Sequence, residues 1–262
     1  MLADSGRDDL AVVVLAAGRG SRLDSGHGDR PKWFLPLRDG SVAELHLSAL
    51  RNAARSWSRL LVVYGYRSEL FDSDALSLLA EKPCELLFNP EYATRNNWFS
   101  LNLALKRLHE DGWAGSVCIL NSDLVLPPPI LGRFLREAGS VRDGLLAVDL
   151  QSPVGNESMK VVVDPNRGHV IDIGKNDLEG RAAGEYVGLS ALGPRGRTLV
   201  GAILDRYDTD PARADEWYEA AFRAAMRDEL SFAVFPIESE WVEVDDARDL
   251  EAARRLVRSL SS

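Results

Sequence analysis

Apolar residues run unbroken through "AVVVLAA" (11–17) and "LLVVYGY" (60–66), while between them they recur at Val42, Leu45, Leu50, Ala53 and Trp57. Unbroken β-branched runs predict strands buried on both faces, and the three-to-four-residue recurrence predicts a helix. The same alternation continues down the chain. A helix is expected over Glu69 to Ala80, a strand at "CELLFN" (84–89), a helix at "NWFSLNLALKRLHE" (97–110) and a strand at "SVCILNSD" (116–123). Strands separated by helical segments predict a mostly parallel sheet with helices on both faces.

The pattern changes after about Leu150. "MKVVVDPNRGHVIDIGK" (159–175) reads as a hairpin turning at Asn166-Arg167-Gly168, and "GEYVGLSAL" (184–192) as a further strand. Helices near 195–206 and 213–228, a strand at "SFAVFPIE" (231–238) and a last helix at 246–260 complete the expected order. No repeat, low-complexity tract or linker interrupts it. The expectation is one α/β domain over residues 1–262, Rossmann-like, with a mixed, mostly parallel sheet. Its two halves would be residues of about 10–150 and about 151–262.

Composition narrows the classes. A chain of 262 residues with 45% hydrophobic and 27% charged residues fits an ordinary globular protein. A net charge of −9 argues against nucleic-acid or membrane-surface binding, which needs basic faces. The N-terminal residues do not read as a signal peptide, and no run approaches the roughly 18 apolar residues of a membrane span. Cys84 and Cys118 lie in apolar runs and are expected as free thiols in a reducing cytoplasm.

The chemistry begins at "LAAGRGSRL" (15–23). A strand feeding a glycine turn points backbone N–H groups at an anion, and Gly18 and Gly20 allow close approach. Arg19, Arg22 and Lys32 supply charge. The dinucleotide fingerprint fails because Leu23 stands where its third glycine belongs, which removes a nicotinamide oxidoreductase. No Gly-Lys-Ser/Thr follows, so the P-loop fails too.

With Pro31-Lys32 added, the string "LAAGRGSRL…PKWFLPL" resembles the nucleotidyltransferase family that makes sugar nucleotides and cytidine diphosphate alcohols. The matching residues are Ala16, Ala17, Gly18, Gly20, Arg22, Pro31 and Lys32. The resemblance implies that this loop wraps a nucleoside triphosphate, with Arg22 and Lys32 on its phosphates. "NPEYATRNNWFSLNLA" (89–104) is similar to the branch containing phosphocholine cytidylyltransferases. It implies nucleotide contacts from Asn89, Asn96, Asn97 and Ser100, although the last three are also good helix N-terminal residues. Asp123, at a strand end facing the ligand crevice, falls where the family keeps a metal-binding aspartate. "EWVEVDDARDLEAA" (240–253) matches its second metal motif with Glu243 and Asp245; Asp245 or Asp246 could instead cap the final helix. Lys175, with Lys160 beside it, falls where relatives hold the acceptor phosphate. "DEWYEAAF" (215–222) resembles the choline-pocket helix, with Trp217, Tyr218 and Glu219. Ser158-Met159 departs from the aromatic that follows Asn-Glu in the choline enzymes.

The implied reaction is attack of an anionic phosphate or phosphonate oxygen on the α-phosphorus of CTP, expelling pyrophosphate. No general base is needed, because the nucleophile is already charged. Mg²⁺ suits the work, held by carboxylates and substrate oxygens. His27, His46, His109 and His169 are therefore read as surface or core residues. The acceptor is left open among aminoalkyl or hydroxyalkyl phosphonates, a polyol phosphate and phosphocholine. A sugar-1-phosphate nucleotidyltransferase using another base, and a non-catalytic sensor keeping the same fold, remain as alternatives.

Overall fold

The computed structural model describes residues 9–20, 22, 29–53, 57–176, 178 and 180–260. The chain opens with β1 (Leu10–Ala16), α1 (Val42–Arg51), β2 (Arg59–Tyr64), α2 (Ser73–Ala80) and β3 (Cys84–Phe88). It continues with α3 (Asn97–Glu110), β4 (Ser116–Asn121), a short β5 (Leu124–Val125), α4 (Pro128–Ala138) and β6 (Gly144–Asp149). The second half holds β7 (Lys160–Val163), β8 (His169–Gly174), β9 (Gly184–Leu192), α5 (Pro194–Asp208), α6 (Tyr218–Arg227), β10 (Phe232–Ile237), a short β11 (Val242–Glu243) and α7 (Ala247–Leu260).

Nine strands form one mixed sheet in the order β3-β2-β1-β4-β9-β6-β10-β8-β7. The first four are parallel, β6 and β10 are parallel to each other, and β9 runs antiparallel between β4 and β6. The unbroken apolar run of β1 is explained by its place inside the sheet. Leu10, Val12, Val14 and Ala16 enter one buried cluster with residues of α1, α4 and α7, while Ala11, Val13 and Leu15 enter the other with α3, α5 and α6. Both faces are covered by helices, as the alternation predicts.

Several boundaries differ from the sequence expectation for local reasons. The first helix ends at Arg51 rather than reaching Trp57. The Trp57 indole instead folds back, its Nε1 donating to the Leu50 carbonyl at 3.0 Å, which keeps it in phase with the buried helix face. The Glu69–Ala80 helix is divided, because Asp72 caps α2 by accepting from Asp74 N and Ala75 N. The 213–228 helix is shorter, starting only at Tyr218. The periodicity did not flag β6 and α4. The expected hairpin turn is present between β7 and β8, with Gly168 at φ +68°. Cys84 and Cys118 are buried free thiols, and desolvation pushes the Cys84 thiol up to about 12. Among the described residues no helix is long and apolar enough to cross a membrane.

One irregularity matters for the site. The β6–β9 register shifts between Leu146 and Val148, opposite Gly188, which sits at φ +85°. A Cβ there would also lie 2.8 Å from the Asn121 side-chain nitrogen at the end of β4. Gly188→Ala is expected to cost about 1–3 kcal/mol, from the left-handed backbone and the contact, read as a lower urea midpoint with an unchanged m-value.

Candidate active site

The chain leaves β1, builds β2 and β3 on one side, then returns to place β4 on the other. Such a reversal opens a crevice at the carboxyl ends of the two strands. A cleft of about 720 Å³ lies there, lined on one side by Gly18, Gly20, Arg22, Lys32 and Asp123 and on the other by Lys175, Glu185, Trp217 and Glu219. Gly20 adopts φ +65°, so the turn after β1 needs the freedom of glycine. Ser21 and Leu23 of that loop, and His27, lie outside the described residues.

The carboxylates are assembled by a two-stranded ribbon. β11 pairs antiparallel with β5, setting Glu243 against Leu124, and Val244 N donates to the Asp123 carbonyl at 2.9 Å. Asp123, Glu243 and Asp245 thereby offer oxygens within 4.8 Å of one another. Asp245 is not the cap of α7: its own N–H and that of Asp246 donate to Asp249, and Asp246 accepts from Arg248 N and Asp249 N. Three hard oxygen donors on a cleft wall fit a hard divalent cation.

Cations compensate the cluster. Lys32 Nζ donates to Asp123 Oδ2 at 2.8 Å and to Asp245 Oδ1 at 2.5 Å. Arg22 Nη2 meets Asp245 Oδ2 at 2.8 Å. Burial works against the Lys32 charge, but the two aspartates outweigh it and hold the ammonium above its ordinary value. Glu243 is pushed up by desolvation in the cleft and by the neighbouring Asp123 and Asp245 charges.

A buried bridge fixes both members of the Lys32–Asp123 pair. Trp33 Nε1 donates to His46 Nδ1 at 3.2 Å, and His46 Nε2 donates to the Leu124 carbonyl at 2.6 Å. The bridge thus ties the residue after Lys32 to the residue after Asp123. Desolvation lowers His46 to about 4, so the ring is neutral and both nitrogens are used. The sequence reading placed this histidine only as surface or core; nothing local in sequence pairs it with Leu124, 78 residues away.

On the other wall, Lys175 Nζ stands 4.7 Å from the Trp217 ring centroid, a cation–π contact. Glu219 is buried, its Oε2 has no partner among the described residues, and desolvation raises it to about 7. Asn97 lines the cleft while its Oδ1 caps the start of α6 by accepting from Tyr218 N at 3.0 Å. Asn96 also lines it, as N-cap of α3.

Other residues expected in contact roles stand behind the walls. Asn89 Nδ2 donates to Ser100 Oγ at 2.9 Å, with both residues buried, so this pair fastens β3 to α3 outside the cleft lining. Ala16 and Ala17 are buried at the end of β1. Lys160 is corrected from acceptor contact to support: only 3% exposed, it donates to the Asn156 and Lys175 carbonyls at 3.0 and 2.5 Å. Tyr218 is also corrected: fully buried, its hydroxyl sits 2.8 Å from that of Tyr186 and donates to Asn121 Oδ1 at 3.0 Å. Sequence reasoning missed Tyr186 and Glu185, both on the cleft wall through β9.

A parallel-sheet switch point with a glycine turn, two cations and a carboxylate triad defines a nucleotide-binding protein of the transferase type. The chain belongs to the family of the MobA-like NTP transferase domain, whose model matches residues 12–169, more than half of the sequence. It is 32% identical over 125 residues to the CMP-5'-(3-aminopropyl)phosphonate synthase of Streptomyces rubellomurinus, covering 48% of this chain and 19% of that protein. It is 30% identical over 100 residues to the choline-phosphate cytidylyltransferase of Streptococcus pneumoniae, covering 38% of this chain and 41% of that one. The matches thus span less than half of either relative. The fold matches the solved CTP:phosphocholine cytidylyltransferase of S. pneumoniae (TM-score 0.74, 18% identity, 95% of this chain and 99% of that one). It also matches the inositol-1-phosphate CTP transferase of T. maritima (TM-score 0.76, 17% identity, 97% of each chain).

Two predictions follow from the buried groups. His46→Leu leaves the Trp33 indole N–H and the Leu124 carbonyl unpaired, which should cost about 2–4 kcal/mol in urea unfolding. The second concerns pH. A carboxyl raised in the folded state binds its proton more tightly there than when unfolded, so Glu219 contributes a loss of stability as pH rises from about 4.5 to about 7. His46 acts oppositely, since its lowered value makes stability rise with pH between about 4 and 6.5. The wild-type curve therefore mixes both slopes. Subtracting the Glu219→Gln curve isolates the first, and the variant should gain relative to wild type as pH increases through that window.

Proposed function

We propose that this chain is a Mg²⁺-dependent cytidylyltransferase that joins CMP from CTP to a small phosphonate or phosphorylated alcohol and releases pyrophosphate. The observation that carries this reading is the two-walled cleft, with the glycine turn, Arg22, Lys32 and the carboxylate triad facing Lys175, Trp217 and Glu219. The two curated relatives point to the same base and to phosphonate or phosphocholine acceptors. A cytoplasmic setting, where CTP is free and thiols stay reduced, belongs to the proposal.

In this reading the triphosphate lies along the Gly18–Gly20 turn, with Asn96 and Asn97 toward the nucleoside. Arg22 and Lys32 exchange their contacts with Asp245 and Asp123 for phosphate oxygens. Asp123, Glu243 and Asp245 would hold the Mg²⁺, which when bound supplies charge neutralisation on the transferring phosphoryl group. Lys175 holds the acceptor's phosphorus oxygens. One of those oxygens forms a bond to the α-phosphorus as the α–β bridging bond breaks, and pyrophosphate departs with the electron pair. The acceptor enters as an anion, so no side chain has to take a proton. Lys32 and Arg22 act by stabilising charge in the transition state.

The acceptor's organic part is read from the far wall. Glu219, which lines the cleft with Trp217, has a carboxyl oxygen without a partner among the described residues, which suits an ammonium or hydroxyl donor. Ser158 and Met159 line the same wall where an aromatic would be needed to enclose a trimethylammonium. Aminoalkyl phosphonates, then hydroxyalkyl phosphonates and polyol phosphates, are the preferred acceptors.

The test is pyrophosphate release across the four nucleoside triphosphates with a panel of acceptors. CTP with an aminoalkyl phosphonate is expected to lead, and Asp123→Asn or Lys32→Ala to lower kcat by about 10²-fold or more with the fold intact. A leading rate with another triphosphate and a sugar 1-phosphate would overturn the base assignment. Phosphocholine winning by tenfold, about 1.4 kcal/mol of transition-state binding, would overturn the acceptor assignment. Unchanged turnover in Lys32→Ala would remove the lysine from the reaction.

A further inference from the structure

A second cleft lies between α3 and α5, away from the site above, with a volume of about 270 Å³. Asn102, Leu105, Lys106, His109, Arg197, Gly201 and Asp205 are among its lining residues, and none of these belongs to the active-site cleft. Asn102 is 1% exposed, and neither its Nδ2 nor its Oδ1 has a partner among the described residues. A buried amide normally spends its donors and acceptor on neighbours, because leaving them unmade forfeits hydration without return. It sits in the middle of α3 (Asn97–Glu110), away from either end of the helix.

Arg197 makes the second observation. Its Nε is buried and has no partner, and no carboxylate pairs with its guanidinium among the described residues. The acids nearby are already engaged, since Lys106 meets Asp205 at 3.3 Å and Asp208 at 2.9 Å. Burial lowers the arginine's affinity for its proton without any compensating anion. The lining also includes the apolar Leu105 and Ala202, with Lys106, His109, Thr198 and Asp205 as its further polar members. A Cβ on Gly201 would meet nothing nearer than Leu105 Cδ1 at 4.0 Å, so the space is open there.

We propose that the α3–α5 cleft is a second ligand site, for a small organic monoanion whose flat apolar body carries an amide-like donor–acceptor edge. The anionic end pairs with the Arg197 guanidinium, which lacks an acid of its own. The edge engages Asn102, whose side chain offers one acceptor and two donors and is satisfied by a partner offering the reverse. The body lies over Leu105, Gly201 and Ala202. Roughly nine waters' worth of space, at about 30 Å³ each, admits such a molecule and excludes a nucleoside triphosphate.

The probe is 4-carbamoylbenzoate, with benzoate and benzamide as the forms lacking one end each. Binding is followed by isothermal titration and by the side-chain signals of Asn102 and Arg197 in the intact protein. Saturable 1:1 binding of 4-carbamoylbenzoate is expected, at least about tenfold tighter than either truncated probe. Arg197→Met should remove the advantage over benzamide, and Asn102→Leu the advantage over benzoate. Gly201→Leu fills the cleft from a helix position that welcomes leucine, so it should abolish binding while raising the melting temperature and leaving nucleotidyl transfer unchanged. Absence of saturable binding to wild type, or binding undiminished in both Arg197→Met and Gly201→Leu, overturns the proposal. The readouts do not involve CTP, so a failure here is separate from any failure of the cytidylyltransferase reading.

Discussion

Three carboxylates within 4.8 Å of one another repel, and the site exists because cations are delivered to them from elsewhere in the chain. Lys32 reaches across 91 residues to Asp123 and across 213 to Asp245, so this one ammonium joins the first loop, the end of β4 and the approach to the last helix. Each segment is held by independent forces. Asp123 follows a central strand, Asp245 follows a ribbon strand paired to β5, and Lys32 precedes a tryptophan with no exposed surface. The cluster is consequently held together by the fold itself.

The neutral His46 ring shows how that rigidity is obtained from a buried side chain outside the cleft lining. It spends one nitrogen on Trp33 and the other on Leu124, each next in sequence to a member of the ion pair. Asn97 plays a matching role on the other side, accepting from Tyr218 N at the start of α6 while lining the cleft. The tyrosine pair 186 and 218 and the glycine at 188 then fix Asn121 behind them. The supporting layer is mostly neutral hydrogen bonds, and the charged Arg22, Lys32 and carboxylate triad lie on the cleft wall itself.

Much of this was readable in the sequence. The unbroken run at 11–17 reads as a strand covered on both faces, and the glycine turn after it sits at a strand end on the cleft. The carboxylates Asp123, Glu243 and Asp245 were legible through the family resemblance, and the structure brings them within 4.8 Å of one another. The pattern did not reveal which of several plausible polar residues turn toward the cleft. Asn89, Ser100, Lys160 and Tyr218 carry the same residue types and spacing that a contact role requires, yet their side chains are used up on neighbours inside the fold.

That division has a physical origin. Periodicity records how far each residue must be from water, so the sequence by itself determined most of the strand and helix order and the two covered faces. Partnership across the sheet is decided by strand order and register, which no local pattern encodes. Only the tertiary structure placed β9 antiparallel between β4 and β6, brought Glu185 and Tyr186 to the wall, and set His46 beneath the ion pair. Hydrogen-bond partners 78 to 213 residues apart are chosen by that packing, because a buried polar atom must pair with whatever the fold sets beside it.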